Sequence, residues 1–229
     1  MQRRWIGTRA GLLIWLYFCY CFCYVAVNQL KHSDQSIKPG EREDRILQAL
    51  AGMLEHPHRI RITTAALAKR SGISASAIYR CFPNKSKMFE ALIAFIEKTL
   101  FVLINKILQD EQSGAKQIES LLLLLLAFSQ KNPGMTRILT GDALVHEDDH
   151  LQLRIQQLHD RLEATFKQAL RFAVSEQQLK LDTDIAAQAN LFMCFVIGRW
   201  YQFVKSEFRR DPLANWDVQR LTVLPDALL

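Results

Sequence analysis

Residues 63–89 decide the fold, and they read TTAALAKRSGISASAIYRCFPNKSKMF. One of the two threonines at the start can cap a short helix over Ala65–Arg70, and Ser74 can cap a second helix over Ala75–Cys81. The Ser-Gly pair between them favours a tight turn, because glycine adopts left-handed backbone angles without steric cost. The sequence therefore predicts a helix-turn-helix, whose second helix is small enough to enter the major groove of DNA.

The charge distribution supports the same interpretation. The chain carries 29 Lys and Arg residues against 23 Asp and Glu residues, a net charge of +6, but the window 57–89 contains seven basic residues and no acidic one. The seven are Arg59, Arg61, Lys69, Arg70, Arg80, Lys85 and Lys87. Such one-sided charge is typical of a surface that binds a polyanion, and duplex DNA is the polyanion that this motif fits.

Side chains of the second helix and of the neighbouring helix starts are the candidates for DNA contacts. Small residues at the front of the second helix let its backbone approach base edges, and Tyr79 and Arg80 are long enough to reach phosphates or bases. Hydroxyl, amide and ammonium groups at helix starts bind phosphate. The candidate DNA-binding residues are Thr63, Thr64, Ser74, Ala75, Ser76, Ala77, Tyr79, Arg80 and Lys85. The alternative is a generic helix pair in which Tyr79 belongs to the core.

The remaining chain predicts an all-α protein. Apolar residues recur at helical spacing from Glu41 onward, strand-like alternation is missing, and 49% hydrophobic residues suffice for a packed core. Six successive leucines, Leu121–Leu126, face every side of a helix and predict its burial all round. Besides the two short helices, the predicted helices are Arg45–Glu55, Ser86–Gln112, Ala115–Lys131, Met135–Leu139, Leu151–Phe172, Thr183–Phe208 and one from Leu213 onward. The predicted domains are a helix-turn-helix domain over residues 41–86 and a helical dimerisation and partner-binding domain over residues 87–229.

The N-terminus conflicts with this picture. Gly11–Val27 is an uncharged run of seventeen residues that follows three arginines, a pattern typical of a signal anchor or a minimal transmembrane helix. That charge bias would place the rest of the chain outside the cell, away from chromosomal DNA. The other explanation is an over-extended gene model, with translation starting near Val27 or Leu30. Residues 1–30 are accordingly treated as a hydrophobic extension and residues 31–40 as a linker, with membrane contact expected only if the extension is real.

The positions of the cysteines indicate that the chain after the hydrophobic extension is a reduced, cytosolic protein. Three of the five cysteines lie in the hydrophobic extension, which leaves Cys81 and Cys194 for the rest of the chain. Two distant cysteines build no disulfide framework and show no metal or redox spacing, so neither a metal nor a cofactor is expected.

The motifs resemble a known family. Ser71-Gly72-Ile73-Ser74 and the run from Ile78 through Tyr79-Arg80-Cys81-Phe82-Pro83 to Asn84-Lys85, followed by Met88-Phe89, resemble the signature of the TetR family. Cys81 stands where the family pattern has histidine. Phe95-Ile96-Glu97, the leucine-rich helix, residues 132–141 and Ser206-Glu207-Phe208 are similar to one branch of that family, which acts in nucleoid occlusion. The resemblance spans about residues 41–208.

This resemblance implies a TetR-like fold and a non-enzymatic role. It implies a cytoplasmic, nucleoid-associated homodimer that binds palindromic sites in double-stranded DNA and, once bound, inhibits assembly of the tubulin-like division protein FtsZ, so that no septum forms over the nucleoid. It also implies a partner-binding surface on the long helix after the DNA motif and on the leucine-rich helix, where Phe95, Lys131 and Asn132 occupy matching positions. Leu103 is apolar where relatives tend to carry a base, and Phe95 has a core role as its alternative.

A wide apolar face on the penultimate helix predicts the dimer interface. It is more than one neighbouring helix would normally cover, and pairing two copies would bury it. The predicted interface residues are Leu191, Phe195, Trp200 and Phe203. Packing of the same face within one chain is the alternative, because an apolar stripe does not identify its partner.

Two other functions compete. His146-Glu147-Asp148-Asp149-His150 matches the H-E-x-x-H pattern of zinc peptidases, although its two middle residues are acidic where an active-site helix would pack apolar side chains. The second is a ligand-responsive TetR-type repressor with a small-molecule pocket in its C-terminal half. The solid leucine helix favours a filled interior instead, and no small-molecule substrate is expected.

Overall fold

The computed structural model describes residues 39–56, 62–180 and 182–224, and these residues form nine α-helices and no β-strand. The helices are α1 Pro39–Leu54, α2 Thr64–Ser71, α3 Ala75–Cys81, α4 Lys85–Asp110, α5 Gly114–Lys131, α6 Pro133–Leu139, α7 Asp149–Ser175, α8 Ile185–Lys205 and α9 Trp216–Val223. A 3-10 turn, Asp142–Leu144, lies between α6 and α7. The prediction of an all-α fold is confirmed.

Several helix ends differ from the predicted ones for identifiable reasons. Helix α1 begins at Pro39, six residues earlier than predicted, because proline is tolerated in the first turn of a helix. Helix α8 begins at Ile185, where the Asp184 side chain accepts a hydrogen bond from the Ala187 amide at 3.0 Å. It ends at Lys205 and not at residue 208, since the two residues before Arg209 have positive φ angles of 54° and 66°.

The chain divides into two compact units, and the boundary falls between Leu92 and Ile93, inside α4. In the N-terminal unit α2 packs against α1 and α3. Its core consists of fully buried apolar side chains, among them Ile46, Leu50, Leu67, Ile73, Ile78 and Phe89. This core holds the two short helices, which by themselves are too short to be stable in water.

In the C-terminal unit α7 and α8 pack against each other, and α5 packs against both. Leu121, Leu122 and Leu124 to Leu126 on α5 are at most 1% exposed, while Leu123 is half-buried. Burial of the leucine run is therefore confirmed for five of its six members. The Trp200 indole on α8 donates a hydrogen bond to the Leu125 carbonyl oxygen at 3.0 Å, so the polar group of this buried side chain is satisfied.

The hydrophobic extension and its membrane hypothesis lie outside the described residues, as do Arg59 and Arg61. Within residues 39–56, 62–180 and 182–224, no helix has both the length and the apolar character that crossing a bilayer requires.

Candidate nucleic-acid interface

Local hydrogen bonds build the first half of the helix-turn-helix. The Thr63 hydroxyl accepts from the Ala66 amide at 3.2 Å, so Thr63 and not Thr64 caps α2. At the other end Gly72 has a φ of 68°, and its amide donates to the Ala68 carbonyl oxygen at 3.0 Å. The buried Ser71 hydroxyl donates to the Leu67 carbonyl oxygen at 2.8 Å. The Ser-Gly pair therefore ends α2 and turns the chain, as predicted.

Helix α3 begins at Ala75, because the Ser74 side chain accepts a hydrogen bond from the Ala77 amide at 3.3 Å. Ile73, Ala77 and Ile78 are each only 1% exposed and attach α3 to the core. The prediction that Ala77 helps the backbone to approach base edges is therefore wrong. Its methyl group packs inward, on the side of the helix opposite the exposed face.

The side chains on the outer face of α3 are short at the N-terminal end of the helix and long at its C-terminal end. Ser74, Ala75 and Ser76 are exposed there, followed by Tyr79 and Arg80. Tyr79 is 56% exposed, so the alternative that placed it in the core is excluded. The Thr64 hydroxyl donates a hydrogen bond to the Tyr79 phenol oxygen at 3.2 Å, which joins the start of α2 to the outer face of α3.

Helix α4 begins beside this face. The Asn84 side-chain oxygen accepts from the Lys87 amide at 2.8 Å and so caps α4. The Lys85 ammonium group lies 5.4 Å from the centre of the Phe89 ring, a cation–π distance. A shallow depression of about 300 Å³ has Thr63, Thr64, Tyr79 and Lys85 among its lining residues. The structure thus brings these four predicted site residues together.

The other exposed cations of this unit are not equivalent. The Lys87 ammonium pairs with the Glu90 carboxylate at 2.8 Å. The Arg70 guanidinium lies against α1, in the space that a side chain on Gly52 would need. Burial raises the pKa of Glu55 on the loop after α1, and the nearby Arg70 charge partly offsets that rise. Arg80 lies on the exposed side of α3, and Lys85 lines the depression beside it.

Cys81, which stands where the TetR pattern has histidine, lies half-buried at the end of α3. Burial and the Glu43 carboxylate raise the pKa of its thiol, while Arg42 and Arg80 lower it by smaller amounts. The thiol is held in its neutral form more firmly than an ordinary cysteine at the same pH. It supplies neither the ring donors nor the positive charge of a histidine.

The predicted partner-binding residues come from two helices. Phe95 lies half-buried on α4, whereas Lys131 is exposed at the end of α5 and Asn132 follows it. The Asn132 side-chain amide donates to the Phe128 carbonyl oxygen at 2.8 Å and so caps α5. Leu103, apolar where relatives tend to carry a base, is only 5% exposed and belongs to the core of this chain.

The predicted dimer face needs a correction. Trp200 is fully buried in its own chain, and Phe203 is 4% exposed and contacts the Phe208 ring at a centroid distance of 5.2 Å. Both residues pack within the chain, which is the alternative that periodicity left open. Leu191 is 48% exposed, and Phe195 is half-buried beside the Trp216 ring of α9. Only these two of the four stay available for an interface.

Sequence reasoning missed the residues that share the open face of α8 with Leu191. Ala187 precedes it at helical spacing, Cys194, Gly198 and Tyr201 follow it, and all four are exposed. A methyl group added to Gly198 would meet nothing within 4 Å among the residues that the structure describes. The prediction selected the bulkier apolar side chains of α8. On a helix with one buried and one exposed side, however, the large apolar side chains pack into the core of the chain.

The H-E-x-x-H pattern does not have the geometry of a peptidase. Helix α7 begins at Asp149, so His146 lies in the preceding turn and only His150 lies on the helix. The two imidazoles therefore do not share one helical face, which zinc binding by this motif requires. In the part of the chain that the structure describes, no three His, Cys, Asp or Glu side chains are placed to hold a metal ion together.

Comparison with family models agrees with both units. Residues 61–92 match the model described as bacterial regulatory proteins, tetR family. Residues 112–226 match the SlmA-like model described as tetracyclin repressor-like, C-terminal domain. The first match contains the whole helix-turn-helix, and the second covers α5 to α9.

Curated relatives extend the similarity over most of the chain. The nucleoid occlusion factor SlmA of Marinomonas sp. (strain MWYL1) is 46% identical over 194 residues, which cover 85% of this chain and 98% of that protein. The protein of the same name from Aliivibrio fischeri (strain ES114) is 48% identical over 181 residues, 79% of this chain and 92% of that protein. These relatives are named for a role in nucleoid occlusion.

Solved structures share the fold at low sequence identity. A TetR-family transcriptional regulator from Agrobacterium tumefaciens superposes with a TM-score of 0.68 at 17% identity, covering 81% of this chain and 97% of that chain. The regulator FadR from Bacillus subtilis, solved in complex with stearoyl-CoA, gives 0.63 at 12% identity, covering 78% of this chain and 96% of that chain. At such identities the likeness establishes the fold alone.

Proposed function

The chain belongs to the family of the nucleoid occlusion factor SlmA, a branch of the TetR-type regulators, and on that premise we propose how it acts. It is a DNA-binding nucleoid occlusion factor of the cytoplasm that binds palindromic chromosomal sites as a homodimer. In the bound state it inhibits assembly of FtsZ, which prevents septum formation over the nucleoid.

The observation that carries this proposal is the outer face of α3. It combines exposed small residues at the front with the exposed Tyr79 and Arg80 behind them, in a window without an acidic residue. Small side chains let a helix lie deep in the major groove, and a long cation then reaches base edges or phosphates. The helix is held on a fully buried core, so it enters the groove preorganised.

We assign two kinds of DNA contact. Ser74, Ala75, Ser76 and Arg80 face the bases, because they share the exposed side of α3. Thr63, Thr64, Tyr79 and Lys85 line the depression next to that side and hold the phosphate backbone with hydroxyl and ammonium groups. The first group sets sequence preference, and the second sets register and salt dependence.

The dimer interface is proposed on the open face of α8. Leu191 and Tyr201 are its large exposed side chains, and the small residues at positions 187, 194 and 198 allow a second helix to approach closely. Two copies related by a twofold axis present two α3 helices, which matches a palindromic operator. For FtsZ we propose a surface that includes Lys131 and Asn132 at the end of α5, with Phe95 on α4 as a further contact.

One experiment tests both halves of the proposal. The full chain is first used to select DNA that it binds from a pool of random duplexes. The assembly of FtsZ from the same organism is then followed by light scattering after addition of the chain, of the selected duplex, or of both. We expect a marked loss of scattering only when chain and selected duplex are combined, and little loss with a scrambled duplex. Equal scattering in all mixtures would refute the FtsZ role, whereas failure to select any duplex would refute DNA recognition.

A ligand-responsive repressor remains the alternative with the same fold. The leucine-rich α5, whose buried residues run from Gly114 to Ser129, fills the interior where such a ligand would sit. A ligand bound there would raise the melting temperature and release DNA. Differential scanning with fatty acyl-CoA and other metabolite mixtures distinguishes the two functions, and we expect no shift.

A further inference from the structure

The interior of helix α1 contains a glycine, Gly52. Glycine is unfavourable inside a helix, since it loses more backbone freedom on folding than alanine does, so a packing reason is expected there. The Arg70 guanidinium, from the last turn of α2, occupies the space above Gly52: an added methyl group would lie 2.5 Å from its Nη2 atom and 3.2 Å from its Cζ and Nε atoms. The guanidinium therefore rests directly on the backbone of α1. We call this contact of Arg70 with Gly52 the arginine seat.

The same side of α1 reaches the helix-turn-helix at a second place. Arg45 lies seven residues, about two helical turns, before Gly52. Its Nη2 atom is 3.8 Å from the point where a methyl group on Gly72 would stand, so Arg45 lies over the turn that follows α2. The contacts of α1 thus include both the last turn of α2 and the turn that leads to α3.

Helix α2 is held at both of its ends. At its start the Thr64 hydroxyl donates a hydrogen bond to the Tyr79 phenol oxygen of α3 at 3.2 Å. At its last turn the arginine seat joins it to α1. The eight residues of α2 span about 10 Å, so a tilt at the last turn displaces the start, where Thr63 and Thr64 are proposed to bind phosphate.

We propose that Arg70 is a positioning residue for DNA binding, whose guanidinium, seated on Gly52, fixes the tilt of α2 and so places the start of that helix against the phosphate backbone. This inference rests on the proposed function, because it concerns the phosphate contacts assigned there. The planar, weakly hydrated guanidinium suits the seat, since it can lie flat on a backbone that carries no side chain. The compact ammonium group of a lysine is more strongly hydrated and lacks that flat surface.

A direct phosphate contact is the competing role for Arg70, and its surroundings disfavour that role. Arg70 is not among the residues that line the depression beside α3. Burial raises the pKa of the Glu55 carboxyl on the loop after α1, and the Arg70 charge partly lowers it, so the guanidinium lies near this carboxyl. A carboxylate close to a cation weakens the attraction of that cation for phosphate. The two roles also predict different results, since a seat requires shape and a phosphate contact requires charge.

The variant Gly52→Ala tests the seat without changing any charge. Its methyl group takes the space of the guanidinium, so α2 loses the support at its last turn. We expect the affinity for the selected duplex to fall about fivefold, an effect of the size usual for two coupled residues in contact. The slope of log affinity against log salt should stay unchanged, because no cation is lost. Alanine is by itself the better helix former, so a weaker α1 would not explain the loss.

Exchanges at position 70 complete the test. Arg70→Lys keeps the charge but not the planar group, and we expect a loss of about fivefold, as for Gly52→Ala. The double variant Gly52→Ala/Arg70→Ala should bind as weakly as Arg70→Ala alone, because the seat is then already empty. Fluorescence anisotropy with the full chain measures all forms at several salt concentrations, and circular dichroism checks the fold. Gly40→Ala, in the first turn of α1 with no described residue within 4 Å, is the control.

Three outcomes overturn the inference. Gly52→Ala binds the selected duplex no more weakly than the control does, or the losses of the two single alanine variants multiply in the double variant. In the third, Arg70→Lys keeps the wild-type affinity while Arg70→Ala lowers the salt slope by roughly 1 unit, the result expected for a phosphate contact. Absence of any duplex preference in the wild type would instead refute the proposed function, which each of the three outcomes leaves intact.

Discussion

At the scale of single residues, the proposed DNA contacts include Tyr79 and Arg80 on the exposed side of α3 and Thr64 at the start of α2. The Thr64 hydroxyl holds the Tyr79 phenol by a 3.2 Å hydrogen bond, and Arg80 stands next to it on the exposed side. The tyrosine ring is rigid, so its side chain loses little conformational entropy on binding. The arginine guanidinium carries several N–H donors in one plane, which match the acceptors of a guanine edge or of a phosphate. Single substitutions separate these roles.

Arg80→Ala should weaken binding to the selected duplex by about 10- to 100-fold, the loss expected when a bidentate base contact of about 1–3 kcal/mol disappears. Binding to a scrambled duplex should fall much less, so selectivity also declines. Fluorescence anisotropy with both duplexes measures the change, and size-exclusion chromatography should show an unchanged dimer. Arg171→Ala, which removes an exposed cation of α7, is the control. Undiminished selectivity in the Arg80 variant would disprove its contact with bases.

Lys85→Ala should weaken binding to every duplex by a similar factor, because its ammonium group at the start of α4 is proposed to meet a phosphate. The slope of log affinity against log salt should become shallower by roughly 1 unit. Lys87→Ala is the matched control: Lys87 pairs with Glu90 at 2.8 Å and is not among the residues that line the depression, so its loss should change the slope less. A loss confined to the selected duplex would mean instead that Lys85 reads bases.

The environment of Cys81 leads to a prediction about how the alkylation of its thiol depends on pH. Burial and the Glu43 carboxylate raise the pKa of its thiol, so at any pH below that pKa a smaller fraction is thiolate than for an ordinary cysteine. Alkylation by iodoacetamide should therefore be slow at pH 8 and should rise only at more alkaline pH. Peptide mass mapping follows each cysteine, and the exposed Cys194 provides the comparison. In denaturant the two should react alike; fast labelling of Cys81 in the folded protein at pH 8 would contradict the prediction.

At the scale of helices, most of the fold is predictable because its signals are local. Ser74 and the Ser71-Gly72 pair fix the ends of α2 and α3 by hydrogen bonds within four residues, which a sequence displays directly. The start of α1 was less clear, since Pro39 is compatible with a loop as well as with a first helical turn.

Which element covers an apolar face depends on residues far away in the sequence, and the predictions about such faces were wrong in part. Ala77 sits in a seven-residue helix, too short for periodicity to separate its inner side from its outer side. Trp200 and Phe203 share the apolar character of Leu191, yet they face α5 and Phe208 inside the chain. The side of α8 that remains exposed depends on how α5, α7 and α9 pack against it. The apolar periodicity of α8 alone does not determine that packing.

The turn between α2 and α3 allows an element-scale test. Gly72 has a φ of 68°, and the nearest atom to an added methyl group, in Arg45, is 3.8 Å away, so only backbone strain opposes a side chain. Gly72→Ala should lower the free energy of unfolding by about 1–2 kcal/mol. Gly40→Ala, in the first turn of α1 with nothing within 4 Å among the described residues, should change it little. Urea denaturation measures both; equal stability of the two variants would contradict the requirement for glycine.

At the scale of the whole molecule, function depends on presenting the helix-turn-helix twice. The N-terminal unit supplies the reading face, and the C-terminal unit supplies the open side of α8 with Leu191 exposed. A single α3 contacts only a few base pairs, so a specific site needs a second copy at a fixed spacing. The same C-terminal unit carries the surface that we propose for FtsZ.

The decisive measurement is a titration of the full chain with the selected palindrome and with the same duplex carrying five extra base pairs between its half-sites. Five base pairs rotate one half-site by about half a helical turn relative to the other. We predict two chains per palindrome and a loss of at least about 100-fold in affinity for the lengthened duplex, because a twofold dimer then engages only one half-site. Equal affinity for both duplexes, or one chain per site, would contradict recognition of DNA by a paired helix-turn-helix.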